Sequence, residues 1–128
     1  MKKRIVVMLA VFFLTVGIAT PAFATSYSLN IPYPFAGSMQ STSLAVKLAG
    51  ESPYVSPSIN TIATCYFLSP QRISSTQATD IVTTGSLGSK SFTYLSGYGG
   101  VGQNYCLSAY PGVTGVYDPY NVRGSWSR

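Results

Sequence analysis

Residues 60–68 read Asn-Thr-Ile-Ala-Thr-Cys-Tyr-Phe-Leu, and this stretch decides the fold of the chain. Its β-branched, aromatic and aliphatic residues favour a pleated strand. Successive side chains of a strand point to opposite faces, and here both faces are rather apolar. One face carries Ile62, Thr64, Tyr66 and Leu68, and the other carries Ala63, Cys65 and Phe67. The pattern predicts a strand at the centre of a sheet, which Pro70 ends.

Segments with a similar alternation lie on both sides of this central strand. The clearest are residues 27–31, 103–110 and 120–126, and weaker ones are 44–48, 80–84 and 89–95. Proline and glycine separate them, so residues 53–57 are predicted to form a loop and residues 96–102 a hairpin loop. About seven short strands without a helical period predict an all-β fold, an antiparallel β-sandwich, with a small β-barrel as the alternative.

Two cysteines, Cys65 and Cys106, lie in different predicted strands. The N-terminal residues 1–24 predict export, and an even number of cysteines in an exported protein predicts a disulfide, which would tie the third strand to the sixth. The chain-entropy treatment assigns such a bond a stabilisation on the order of 4 kcal/mol. Two free buried thiols, or a bond between two molecules, are the alternatives.

Tyrosine is the residue with the most evident binding potential, since the chain contains ten of them. Six lie in or beside the glycine-rich stretch at 96–102 and the turn that follows. They are Tyr94, Tyr98, Tyr105, Tyr110, Tyr117 and Tyr120. Tyrosine supplies rigid amphipathic contact area, so these six form a candidate binding surface for cell-wall glycan, membrane headgroups or another protein. The alternative is that about half of them fill the core, since only an exposed contiguous patch indicates binding.

The N-terminal residues 1–24 have the organisation of a secretory signal peptide. A basic cluster, Lys2-Lys3-Arg4, precedes an apolar run at 5–19, and Ala22-Phe23-Ala24 forms a cleavage site after Ala24. An uncleaved membrane anchor is the alternative, although the apolar run is shorter than the ~20 residues of a stable span. The sequence therefore predicts a secreted, extracellular protein with a single β domain at residues 25–128.

Cleavage would also remove three of the eight basic residues. Five basic and three acidic residues remain in residues 25–128, a net charge of +2, and they are scattered along the chain. Because nucleic-acid binding requires clustered cations, we predict no nucleic-acid partner.

The residues that usually carry out catalysis are scarce. The chain has no histidine, which removes the commonest general base and the commonest metal ligand. The carboxylates beyond residue 24 are Glu51, Asp80 and Asp118, each alone in its segment, which we interpret as turn residues or solvated surface charges. A glycosidase would need two of them to converge. We predict no catalytic site, no metal and no cofactor.

A serine–lysine pair is the remaining route to hydrolysis. It would combine Ser43 or Ser89 with Lys47 or Lys90, but neither lysine has the S-x-x-K spacing of known serine–lysine enzymes. The glycine-rich stretch also lacks the lysine of a phosphate-binding loop.

The C-terminal stretch Tyr120-Asn121-Val122-Arg123-Gly124-Ser125-Trp126 resembles the Y-x-V-x-G-x-W ending of a family of small uncharacterised secreted proteins of Gram-positive bacteria. Residues 26–31 are similar to the first strand of that family, whereas the two cysteines are a departure from its pattern. The exported, Tyr/Ser/Gly-rich domain also resembles the lactococcin type of β-sandwich bacteriocin in fold and export. These resemblances imply a secreted β protein and name no ligand.

Three functional hypotheses remain from the sequence. The first is a non-enzymatic protein that binds at or outside the cell surface. The second is a bacteriocin-like antibacterial toxin that acts on the cell envelope of a competitor. The third, a small hydrolase, has the least support because the catalytic residues are scarce.

Overall fold

The computed structural model describes residues 24–32, 39–59, 61–113 and 118–128. This part of the chain contains β-strands and no helix. The strands are β1 Thr25–Ile31, β2 Gln40–Ser41, β3 Ala45–Val46, β4 Tyr54–Pro57, β5 Thr64–Ser69, β6 Val82–Thr84, β7 Lys90–Ser91, β8 Asn104–Pro111 and β9 Tyr120–Ser127. They form two antiparallel sheets, which confirms the predicted all-β class.

The four-stranded sheet has the order β1-β9-β4-β7. Its longest pairing joins the first strand to the last, from Thr25 opposite Trp126 to Ile31 opposite Tyr120. On its other side β9 pairs with β4, where Gly124 faces Pro57. A Cβ atom at Gly124 would overlap the carbonyl oxygen of Ser56, so the close approach of these two strands requires glycine.

The five-stranded sheet has the order β2-β8-β5-β6, and β3 pairs with β8 on the same side as β2. β5 therefore lies between β6 and β8, and all six of its residues are buried. This confirms the prediction that the strand within residues 60–68 is central. Because both sheet orders have free ends, the described strands form two open sheets and not the small barrel that was the alternative.

A single hydrophobic cluster draws on both sheets. From β1 it takes Tyr27, Leu29 and Ile31, while the intervening residues are exposed, as the alternation predicts. From β8 it takes Tyr105 and Leu107. Fully burying a side chain of Leu or Ile size contributes about 1.5–3 kcal/mol, so this cluster is the main source of cohesion between the sheets.

The predicted disulfide is wrong: both cysteines are free and buried. They lie on neighbouring strands, but Cys65 faces Tyr110 whereas Cys106 faces Ser69. That register separates the cysteines by four positions, or about 14 Å along the strands at ~3.4 Å per residue. A disulfide needs Cα atoms about 4.4–6.8 Å apart, so this pairing cannot be bridged.

Three local predictions also need correction. Residues 53–57 are not a loop, since β4 occupies most of them and pairs with both β7 and β9. The glycine-rich stretch at 96–102 does not close a hairpin, because β7 and β8 lie in different sheets and the stretch crosses between them. The strand expected at 89–95 is reduced to β7 and an isolated bridge between Tyr94 and Thr79.

Candidate binding site

The six tyrosines of the candidate binding surface do not form one patch. Tyr94, Tyr98 and Tyr105 lie around residues 96–103, which we call the glycine loop. Tyr110 packs against Phe67 at a centroid separation of 6.3 Å, and Tyr120 lies 3.0 Å from Thr64, hydroxyl to hydroxyl.

Three other predicted site residues are the remaining tyrosine of the six and the two alanines of the cleavage site. Tyr117 and Ala22 lie outside the described residues, and Ala24 is exposed directly before β1. Of the four tyrosines that flank the glycine-rich stretch in sequence, Tyr94, Tyr98 and Tyr105 lie around the loop in the fold, whereas Tyr110 packs elsewhere.

Short hydrogen bonds define the path of the glycine loop. The amide of Tyr98 donates to the carbonyl of Leu95 at 3.1 Å, and that of Gly102 donates to the carbonyl of Lys47 at 2.9 Å. Gly99 has φ of +94°, and a Cβ atom there would lie 2.8 Å from the Tyr94 ring. Glycine at position 99 thus allows both the left-handed backbone and the close packing against Tyr94.

A depression of about 300 Å³ opens beside this loop. Its lining residues carry no charge: they are Pro70, Tyr98, Gly102, Gln103, Asn104 and Tyr105. Gln103 and Asn104 are exposed, while Tyr98 is half-buried and packs against the hydrophobic cluster. We call this feature the glycine-loop depression.

The side chain of Gln103 is held in place from two directions. Its Oε1 accepts a hydrogen bond from the amide of Gly100 at 3.0 Å and a second from the hydroxyl of Tyr105. That hydroxyl in turn accepts from the amide of Gly99 at 2.7 Å. Because both bonds fall on the oxygen of the Gln103 amide, its NH₂ group is directed away from them and carries two donor hydrogens.

Tyr105 lines the depression but is almost wholly buried, so its main role is to support the site. Only 1% of the residue is exposed, and its ring packs 5.4 Å from that of Tyr94, centroid to centroid. Tyr94 is half-buried, and burial raises the pKa of its hydroxyl above the ordinary value. The prediction that these two tyrosines belong to an exposed surface does not fit their burial.

A buried group of charged residues lies behind Tyr94, and we call Lys47, Glu51 and Arg128 the charge cluster. The Nε of Arg128 is 3.4 Å from the Oε2 of Glu51. Lys47 donates from Nζ to the main-chain oxygens of Glu51 at 2.7 Å and of Arg128 at 3.1 Å, and this Nζ lies 5.3 Å from the centre of the Tyr94 ring.

Glu51 is therefore not a solvated surface charge, since its side chain is fully buried. It is a turn residue, the other interpretation, because its Oε2 accepts a hydrogen bond from the amide of Leu48 at 2.8 Å. The ammonium of Lys47 is likewise bound to main-chain oxygens, which leaves it occupied in a structural role. Arg128 extends the cluster to β1 and β3, because it donates to Thr25 Oγ1 at 2.7 Å and to the carbonyl of Val46 at 2.9 Å.

The other two carboxylates agree with the sequence interpretation. Asp80 and Asp118 are both exposed, and Oδ1 of Asp80 accepts a hydrogen bond from the amide of Thr93 at 2.7 Å. Within the described ranges, no group of three or more Asp, Glu, His and Cys residues is arranged to hold a metal ion.

The two thiols are in structural surroundings. Burial raises the pKa of the Cys106 thiol, whose Sγ lies 3.4 Å from the carbonyl oxygen of Gln71. Cys65 lies 3.2 Å from Thr83, sulfur to hydroxyl oxygen. A raised pKa lowers the thiolate fraction, so Cys106 is poorly suited to act as a nucleophile.

A second depression, of about 190 Å³, lies on the outer face of the five-stranded sheet. Its lining residues are Met39, Phe67, Ser75, Gln77 and Tyr110. Burial raises the pKa of Tyr110. This second depression is separate from the glycine loop and offers a natural control for it.

No protein-family model matches the chain, and neither a curated protein nor a solved structure matches it. In the part of the chain that the structure describes, no helix is long and apolar enough to cross a membrane.

Proposed function

We propose that the chain is a secreted, non-enzymatic protein whose two sheets pack as a β-sandwich and which binds at or outside the cell surface. The proposal rests on one observation, the glycine-loop depression. The polar groups of this depression are uncharged. The side-chain amide of Gln103 is oriented by hydrogen bonds from Gly100 and Tyr105. Pockets that bind ligands combine a few placed polar groups with aromatic walls, and this depression has both.

Export is part of the same proposal. Residues 1–24 have the pattern of a cleaved signal peptide, and β1 begins at Thr25, the residue that would follow the cut. The resemblance of the C-terminal ending to small secreted proteins of Gram-positive bacteria agrees with this destination. N-terminal sequencing of protein recovered from the growth medium should begin at Thr25, and a product that stays in the cell with Met1 intact would contradict export.

The binding function can be tested on whole bacterial cells. Fluorescently labelled protein should bind the cells saturably, and the exposed-face substitution Asn104→Ala should weaken that binding about tenfold or more. Tyr110→Leu, which changes the second depression, is the matched control and should leave binding unchanged. Binding that is absent, or that both variants reduce equally, would contradict a function at the glycine loop.

A bacteriocin-like toxin is the second proposal, and one observation favours it. Leu44, Val46 and Leu48 are 42–47% exposed, and Val101 of the adjoining loop is 66% exposed. An exposed apolar stripe of this kind is suited to contact with a lipid surface. Purified protein would then inhibit the growth of related strains, and the replacement Val46→Thr with Val101→Thr would relieve that inhibition. Growth of all tested strains at normal rate would remove this proposal.

A further inference from the structure

We propose that the glycine-loop depression binds one uncharged saccharide unit of a cell-surface glycan. This inference rests on the proposed binding function and names the ligand class of the same site. The contacts would come from the ring of Tyr98 and from the amides of Gln103 and Asn104.

The chemistry of the lining suits a sugar ring. A sugar ring presents C–H groups on its faces and hydroxyls around its rim. The C–H groups are slightly positive and suit the negative face of an aromatic ring such as Tyr98. Each hydroxyl both donates and accepts, and a primary amide such as that of Asn104 offers both functions in one plane.

The uncharged lining disfavours an anionic ligand. The lining has no cation that could neutralise a phosphate, sulfate or carboxylate. Lys47, whose backbone amide donates to the carbonyl of Gln103 at 2.8 Å, directs its Nζ to main-chain oxygens inside the protein. An anionic polymer would therefore find no counter-charge at the depression, whereas an uncharged sugar needs none.

The side-chain amide of Gln103 is preorganised for binding. The oxygen of the Gln103 amide is fixed by Gly100 and Tyr105 before any ligand arrives. A Cβ atom on Gly100 would lie 3.2 Å from Cδ of Gln103, so this loop position is shaped around the amide. Since the side chain is already ordered, binding loses less conformational freedom than it would with a free glutamine.

The size of the depression suits a single saccharide unit. A depression of about 300 Å³ is at the lower end of the range for small-molecule pockets, about 300–1,000 Å³. It accommodates a single small unit. Because Gln103 and Asn104 are exposed, the neighbouring units of a longer glycan can continue into solvent.

The experiment is a titration of ¹⁵N-labelled protein, purified from cells that express the whole sequence, with four probes. Three are uncharged, namely chitotetraose, cellotetraose and mannotetraose, and one is anionic, an oligogalacturonate. At least one uncharged probe should shift the backbone amides of residues 99–104 saturably. The dissociation constant should change less than about twofold between low and high salt, because no ion pair is screened.

Substitutions locate the binding. Asn104→Ala and Tyr98→Leu should each raise the dissociation constant about tenfold, and Tyr110→Leu should not change it. Asn104 is exposed, so its variant should keep the native amide spectrum even if Tyr98→Leu does not fold. Shifts confined to the second depression, or a dissociation constant unaffected by Asn104→Ala, would overturn the assignment of the site.

The saccharide inference can be wrong even if the proposed binding function is right, and the two outcomes are distinguishable. If labelled protein still binds cells but no uncharged probe shifts any amide, the saccharide inference is overturned and the proposed function stands. Digestion of the cell glycans with a glycosidase that cleaves the linkage of the responding probe should abolish cell binding if the inference holds. If protease treatment of the cells abolishes binding and that glycosidase does not, the partner is a protein and the saccharide is excluded. A salt-sensitive response to oligogalacturonate alone would also overturn the uncharged class.

Discussion

The charge cluster offers the sharpest test of the structure, through the substitution Glu51→Gln. Gln has nearly the same shape as Glu, so the change removes a charge and little else. Oε2 of Glu51 accepts a hydrogen bond from the amide of Leu48 at 2.8 Å and lies 3.4 Å from the Nε of Arg128. Only 11% of the Arg128 side chain and none of the Glu51 side chain is exposed.

The expected loss of stability follows from this burial. Removing one member of a buried ion pair costs about 3–5 kcal/mol, because the other charge is left uncompensated. Arg128 retains hydrogen bonds to Val46 and Thr25, which places the cost at the lower end, about 3 kcal/mol. The free energy of unfolding of a domain is about 5–15 kcal/mol, so the variant should still fold but with a much smaller free energy of unfolding.

Urea unfolding measures the effect. With a slope of about 1–3 kcal/mol per M, a loss of 3 kcal/mol lowers the midpoint by roughly 1–3 M. Asp118→Asn is the matched control, because Asp118 is exposed, and it should change the free energy of unfolding by less than about 0.5 kcal/mol. The double variant Glu51→Gln/Arg128→Met should lose less free energy of unfolding than the sum of the losses in the two single variants.

Two results would refute the reasoning. If Glu51→Gln is as stable as the unchanged protein, the carboxylate is hydrated and the charge cluster is not buried. If the double variant loses the full sum of the single losses, Glu51 and Arg128 do not interact.

Three further predictions concern other parts of the fold. Cys65 and Cys106 should both take up a thiol-alkylating reagent in denaturant without prior reduction, and in the native state Cys106 should react slowly because burial raises its pKa; mass spectrometry counts the labels. Gly124→Ala should destabilise the protein by about 1–3 kcal/mol in urea unfolding, since the added methyl group overlaps the Ser56 carbonyl. Stability should fall as the pH rises above 10.0, the ordinary pKa of tyrosine, because burial raises the pKa of Tyr94 and the unfolded chain loses that proton first. The free energy of unfolding should fall by about 1.4 kcal/mol per pH unit for each tyrosine whose pKa is raised by burial. This fall should be less steep in Tyr94→Phe.

Each of these has a clear contrary result. Alkylation that occurs only after reduction would mean a disulfide and hence a different strand register. Gly100→Ala is the control for Gly124→Ala, because the nearest atoms to its Cβ would be those of the Gln103 side chain, at 3.2 Å, and not a main-chain carbonyl. Equal losses in the two variants would argue against the close approach of β4 and β9. An unchanged alkaline slope in Tyr94→Phe would mean that the Tyr94 hydroxyl is not buried.

Much of the architecture could be predicted locally. The alternation at Tyr27, Leu29 and Ile31 identified both a strand and its buried face, because a period of two residues follows from strand geometry alone. The double-sided apolar character within residues 60–68 identified the central strand for the same reason. The density of tyrosine and glycine at 94–105 also pointed to the loop that now carries the candidate site.

Other features required the tertiary structure. The glycine loop was expected to close a hairpin, but whether two successive strands pair depends on which distant strand offers a better edge, and β7 pairs with β4 instead. The sequence could not show that Tyr105 is buried and Tyr98 only half-buried, because the two side chains are identical and only their packing differs.

The sequence by itself thus determined the all-β class, the strands within residues 27–31, 60–68, 103–110 and 120–126, and the buried face of β1. These follow from the preferences and spacing of neighbouring residues. Only the tertiary structure decided the register that keeps Cys65 and Cys106 apart, and the contact with Arg128 that makes Glu51 a buried charge. Both depend on pairing between segments far apart in the chain, and no local pattern of residue types specifies which of the many pairings has the lowest free energy.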